Sequence, residues 1–291
     1  MVGASVLALL FTVTDCQAGV WTLPKGEGLI ISGTSYNSAN FAYDSERNLT
    51  TPVSFNKIDS TFYLEYGLGR NLTIVGNSAL QDVSYTSSQG PQNYSGFSTS
   101  KIGLRYGVST DSPWLFAVQP SLVIPAGGEA VPDGDLGLGG YGGELRVLAG
   151  HSLEFAGRPS FFNAEAAYDF RSDGAPRQIT TDLTLGIDVT DKMKVIGQGF
   201  YRHTNDSLFE GDTVLANESL KLQASLVFKV PKFSLFKRKK DSATPLDDEG
   251  NIEMPPFPKK KTSIQIGVFQ TVAGKNILRE QGGTITFWNQ F

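Results

Sequence analysis

The sequence predicts an all-β fold, a transmembrane antiparallel up-and-down β-barrel of about twelve strands. Three observations predict it. Period-2 alternation recurs along the chain, and several stretches run longer than the roughly five or six residues of an ordinary strand. One face of these stretches is apolar while the other carries ionised side chains on strand after strand. A soluble barrel needs an apolar inner face; a membrane barrel inverts that, with lipid outside and water or a polar network within. Finally, the chain stops on an alternating strand, "GGTITFWNQF", whose last residue is Phe291.

The stretches follow in order. After "LIISGTSY", the segment "IDSTFYLEY" sets Ile58, Phe62, Leu64 and Tyr66 against Asp59, Thr61, Tyr63 and Glu65. A tight turn, "GLGR", leads into "NLTIVGNSALQ", with Leu72, Ile74 and Leu80 opposite Thr73, Asn77 and Gln81. In "SKIGLRYGV" the polar residues are Lys101 and Arg105, and "WLFAVQPSLVI" follows, weakened as a central strand by Pro120 because proline has no N–H for the ladder. "GELRVLA" exposes Glu144 and Arg146 on one face; "FFNAEAAYDFR" exposes Asn163, Glu165, Asp169 and Arg171. "ITTDLTLGIDV" places Asp182 and Asp188 together, and "SLKLQASLVFKV" does so with Lys221, Gln223 and Lys229. Between them, 193–203 is mixed: Lys194, Gln198 and Arg202 share a face with Ile196 and Phe200, which aims His203 the other way. "SIQIGVF" and the terminal strand complete an even count. On that last strand Ile285, Phe287 and Phe291 are expected outside, with Thr284, Thr286 and Gln290 inside, closing the sheet against the first strand. A terminal aromatic there resembles the signal read by outer-membrane assembly machinery, an expected partner through Phe291.

Composition excludes several classes. With 25 Lys+Arg against 29 Asp+Glu there is no global basic field, so nucleic acid is not an expected partner. Charged residues, 19% of the chain, sit below the roughly 25% of soluble domains. Residues 1–18 read as a secretory signal cut after Ala18, too short to span a bilayer as a helix. The sole cysteine, Cys16, falls within it, so the remaining barrel domain, 19–291, has neither disulfides nor thiolate chemistry available. Connections alternate between short (67–70, 109–113, 190–192) and longer (38–54, 85–94, 126–135, 204–216), which puts both termini in the periplasm. One periplasmic connection breaks the pattern: 231–261 is Pro-rich and carries basic blocks at Lys237–Lys240 and Lys259–Lys261 around an acidic one. It reads as a linker or as a docking arm for a periplasmic partner.

"EYGLGRNLTIVG" (65–76) and "PDGDLGLGGYGGELRV" (132–147) resemble the outer-membrane barrels of the phenol meta-pathway degradation-like family. The resemblance runs through most of the chain after the leader, although the insert at 231–261 departs from that family's compact pattern. It implies a channel or transporter for small, hydrophobic organic compounds.

Enzymatic motifs are weak. Ser98 and Lys101 match S-x-x-K, but that chemistry wants a helix start. Gly137 to Gly142 match G-x-G-x-x-G with no strand-turn-helix after them. His203, near Asp206 at a strand end, is the one candidate for a rim hydrolase, and His151 is expected in a turn. No metal-spaced cluster or nucleotide motif appears, so no cofactor or metal is expected. What remains is an expected lumenal set: Asp59, Glu65, Lys101, Arg105, Glu144, Arg146, Glu165, Asp169, Arg171, Asp182, Asp188, Lys221 and Lys229. Such a ladder either screens a water-filled pore or cross-links into a salt-bridged plug. The expected function is passive passage of small organic solutes through the outer membrane of a Gram-negative cell. The alternative is a non-conducting barrel that docks a partner, and an outer-membrane hydrolase comes third.

Overall fold

The computed structural model describes residues 19–87, 90–108, 113–125, 127–128, 141–172, 177–205, 207–209, 212–214, 216–230 and 261–291. The expected leader, the 137–142 glycine motif apart from its last two residues, most of the 126–135 loop, Asp206 and residues 231–260 of the insert lie outside them.

Twelve antiparallel strands close into a barrel. They are β1 (Gly28–Tyr43), β2 (Leu49–Gly69), β3 (Leu72–Ser87), β4 in two segments (Gly90–Phe97 and Ser100–Gly107) and β5 (Trp114–Ile124). Then come β6 (Gly142–Phe155), β7 (Arg158–Arg171), β8 (Gln178–Thr190), β9 (Met193–Thr204), β10 (Asn217–Val230), β11 (Lys261–Lys275) and β12, also in two segments (Ile277–Leu278 and Gln281–Gln290). Each strand pairs with its sequence neighbours, and β12 closes on β1 from Leu29↔Gln290 to Ser38↔Gln281. Closure leaves no free edge where all twelve strands run side by side, the only way a sheet satisfies its amides in hydrocarbon.

Alternation then decides which side chains meet lipid. Ile58, Phe62, Leu104, Leu122, Leu145, Leu183, Leu222, Ile266, Ile285 and Phe287 are exposed on the outer face, while Arg105, Arg146, Asp59 and Glu65 are fully buried within. The expected facing of the last strand holds at Ile285, Phe287 and Thr286. Phe291 exchanges backbone hydrogen bonds with Gly28 at 2.8 and 2.9 Å.

The strands reach further than the alternation suggests. β1 and β2 consume most of 38–54, leaving a tight 44–48 connection where Asp44 accepts hydrogen bonds from the Asn48 and Glu46 amides and the Thr50 hydroxyl. The Asn48 amide is the main cause that holds this exposed carboxylate below its ordinary range. His151 is not in a turn: β6 continues to Phe155, and the chain reverses at Ala156 and Gly157, both with positive φ. The His151 ring stands edge-on to Trp114 at 4.7 Å in an outer aromatic girdle. Pro120 is accommodated within β5, and the β4–β5 register skips Leu104 and Arg105 beside it, as a residue without an N–H requires. A break at Ser98 and Thr99 shifts the parity of β4, so Ser98 is buried on the same side as Lys101 instead of opposite it. The Ser98 hydroxyl donates to the Thr99 carbonyl, and the lysine is engaged elsewhere.

Replacing outward Leu183 with arginine (Leu183→Arg) is expected to cost about 2–4 kcal/mol in lipid. Urea unfolding of the barrel in vesicles reads that loss directly.

Candidate functional site: the ionised lumen

Inward-facing side chains divide the lumen into two arcs. The first, from β2 to β8, is ionic. On β4, the Arg105 guanidinium donates to Glu65 at 2.6 Å, to the Tyr63 hydroxyl at 3.0 Å and to Gln119 at 3.1 Å. On β6, Arg146 donates to Glu165 at 2.8 Å, to Asp182 at 3.2 Å and to both oxygens of Glu144. Lys101 donates to Glu144 at 2.6 Å and lies 3.6 Å from Asp169, which Arg171 also holds at 3.2 Å. A chain of ion pairs therefore runs from Arg171 through Asp169, Lys101, Glu144 and Arg146 to Glu165. Many of these contacts skip a strand, so they brace the wall from inside.

The second arc, from β9 round to β1, is mostly neutral. Gln198, Gln223, Ser225, Gln265 and Thr286 face inward; the Gln223 amide donates to Gln198 at 3.1 Å and to Ser225 at 3.2 Å. Trp288 donates its indole N–H to Gln265 at 3.1 Å. Towards the end of the barrel away from the termini lie two further ion pairs, one on β2 of the first arc and one between β10 and the residue just before the second segment of β12. Lys57 sits 3.1 Å from Asp59 with both side chains fully buried, and Lys221 donates to Glu280 at 2.8 Å while lying over the Phe269 ring. At the termini end Asp188 is 3.6 Å from both Lys194 and Lys229, and Lys229 is half exposed at the mouth.

The structure thus brings ten of the thirteen expected lumenal residues into buried ion pairs, Lys101 being only slightly less enclosed, and sets Asp188 and Lys229 at the mouth. Sequence reasoning missed Lys57, one residue ahead of the alternation at Ile58, and Glu280, two residues ahead of the terminal strand. Both pair with residues that were recognised. It also missed the segment before β1. Residues 19–25 turn into the lumen and complete the ionic arc: the Val20 amide donates to Asn163 at 3.0 Å, Arg105 donates to the Trp21 carbonyl at 3.2 Å, and the Leu23 amide donates to Thr73 at 2.9 Å. Val20 packs on Ala117 and Leu148, Leu23 on Leu29, Ile31, Tyr63 and Val75. Gly67 makes room for it, since a Cβ there would run into the Leu23 and Pro24 carbonyls. Beside this segment, at the termini end, a cavity of about 800 Å³ opens between Trp21, Phe161, Gln198, Gln265 and Trp288, with Asp188, Lys194 and Lys229 also on its wall.

His203 faces outward at the rim. It bonds Asn205 at 2.9 Å and lies 3.5 Å from Glu218, which also holds Arg47. Among the described residues no serine bonds it, and no cluster could hold a metal.

This is the architecture of an outer-membrane β-barrel. An outer membrane channel from Pseudomonas putida F1 shares the fold, with a TM-score of 0.64 at 12% identity over 94% of this chain and 99% of that one. The β domain of the Bordetella autotransporter BrkA gives a TM-score of 0.49 at 10% identity over 92% and 99% of the two chains. The translocator domain of the autotransporter NalP from Neisseria meningitidis gives 0.45 at 9% over 90% and 88%. No protein-family model and no curated protein sequence matches the chain.

Two outcomes are expected. Arg146→Ala leaves Glu144, Glu165 and Asp182 without their shared cation and lowers stability by about 3–5 kcal/mol, measured by chemical unfolding. Gly67→Val displaces residues 23–24 while the barrel still assembles, so Trp21 emission shifts to the red without loss of the β-sheet circular dichroism.

Proposed function

We propose that the chain is an outer-membrane channel for passive passage of small organic solutes, with both termini in the periplasm. The observation that carries this reading is the lumen's division into two arcs. Ion pairs and residues 19–25 fill one side, and the route is left along the neutral polar arc, opening at the termini end into the cavity whose wall carries Asp188, Lys194 and Lys229. Neutral hydrogen-bonding walls hold solutes weakly, which a pathway needs if they are to leave again. The ion pairs opposite act as fixed struts with a transverse field across the route. The family resemblance at 65–76 and 132–147 points the same way, towards small organic compounds. No energy-coupling motif is present in the sequence, and diffusion requires none.

The same features supply the second reading. A lumen crossed by an internal segment and a continuous ionic chain also suits a non-conducting barrel, one that docks a periplasmic partner through 231–261. Planar-bilayer recording separates the two. The channel reading expects small, steady steps whose size rises at least about twofold when residues 19–25 are deleted, and cation selectivity that increases on neutralising Arg105 or Arg146. Silence with and without the segment, together with a partner captured by the intact chain and lost on deletion of 232–260, is the outcome of the docking reading.

A further inference from the structure

We infer that the cavity at the termini end is a binding site for small aromatic carboxylates, with Lys194 and Lys229 as the anion-recognising groups. The inference takes its solute class from the passage proposed above, but it concerns binding and does not require conduction.

Three features of the cavity converge on that chemistry. First, its cations are under-satisfied. The Lys194 ammonium lies 3.6 Å from Asp188 and 4.6 Å from the centre of the Phe161 ring, and among the described residues it makes no hydrogen bond. Lys229 is likewise 3.6 Å from Asp188 and donates only to the Asp191 carbonyl, at 3.0 Å. Two ammonium groups share one carboxylate at distances too long for hydrogen bonds, so N–H donors remain for an anion. Glu154 also borders the cavity, but it is exposed and within ion-pair range of neither lysine.

Second, the wall next to those donors is aromatic. Trp21 stands edge-on to Phe161 with ring centres 5.7 Å apart, and Trp288 also lines the cavity. Such faces accept a flat apolar body in stacked or edge contacts. Third, the volume of about 800 Å³ lies within the roughly 300–1,000 Å³ of small-molecule sites. A ligand whose ring rests on Phe161 and Trp21 carries its carboxylate to Lys194, with Lys229 reaching in from the mouth. A neutral aromatic of the same shape fills the cavity but leaves the ammonium groups as they are. A cationic one meets repulsion.

The test is calorimetric titration of the full mature barrel in non-ionic detergent with 3-phenylpropionate, its neutral amide and phenethylammonium. The acid is expected to bind roughly tenfold more tightly than the amide, with the amine weakest. Lys194→Gln is expected to remove most of that preference and Lys229→Gln part of it. Lys261→Gln, at the same end but outside the cavity, controls for the micelle and leaves it unchanged. Equal affinity for acid and amide, an acid affinity untouched by Lys194→Gln, or no binding of the acid to the unmodified barrel overturns the assignment. A barrel that discriminates the acid yet stays silent in bilayers contradicts only the passage reading. A conducting barrel blind to the acid contradicts only this site.

Discussion

The backbone amide of an extended strand in hydrocarbon has no hydrogen-bond partner except another strand, and the other properties of this molecule follow from that. The sheet must close, so β12 returns to β1 with an unbroken ladder from Leu29 to Ser38. Closure creates an inside, and strand geometry sends alternate side chains there. The outer set is then under pressure to be apolar. The inner set is shut away from lipid and free to be ionised, provided each charge finds a partner.

How the interior meets that condition explains its asymmetry. An isolated ion buried there is heavily penalised, and one well-placed partner only partly offsets the loss of water. Arg105 and Arg146 go further: each guanidinium addresses several acceptors at once, in the forked geometry that suits arginine. Carboxylates outnumber cations on that arc, Glu65, Glu144, Glu165, Asp169 and Asp182 against Lys101, Arg105, Arg146 and Arg171. Residues 19–25 supply further donors and acceptors from their own backbone. The segment is therefore not a loose tail but a structural filler whose amide and carbonyl groups complete the network. Across the lumen, glutamines and hydroxyls bond one another, and the cavity opens beside them, next to the loosely paired Asp188, Lys194 and Lys229.

Much of this was legible in the residue pattern, because a strand's facing is a local property. Parity alone puts Glu65, Arg105, Arg146 and Glu165 on one side and Leu145 or Leu183 on the other. It failed where local rules were interrupted. A proline in β5 and a break at Ser98 shifted ladder or parity without ending the strand. Lys57 and Glu280 were passed over because alternation weakens next to them, at Asn56 on one side and at the Gly282–Gly283 pair on the other. Residues 19–25 could not be read at all: their contacts to Thr73, Arg105 and Asn163 span 50 to 143 positions, and "GVWTLPK" has no alternation to reveal them. The same limit applies to which charges pair across the lumen, since that depends on curvature and on side-chain reach over an intervening strand.

The central claim is the sidedness itself, and depth-resolved fluorescence quenching tests it most directly. In a Cys16→Ser background, an environment-sensitive label is placed in turn by Asp182→Cys, Leu183→Cys, Thr184→Cys and Leu185→Cys, and each barrel is reconstituted into vesicles of brominated lipid. The account predicts strong quenching at 183 and 185 and weak quenching at 182 and 184. Uniform quenching, or the reverse alternation, would contradict it.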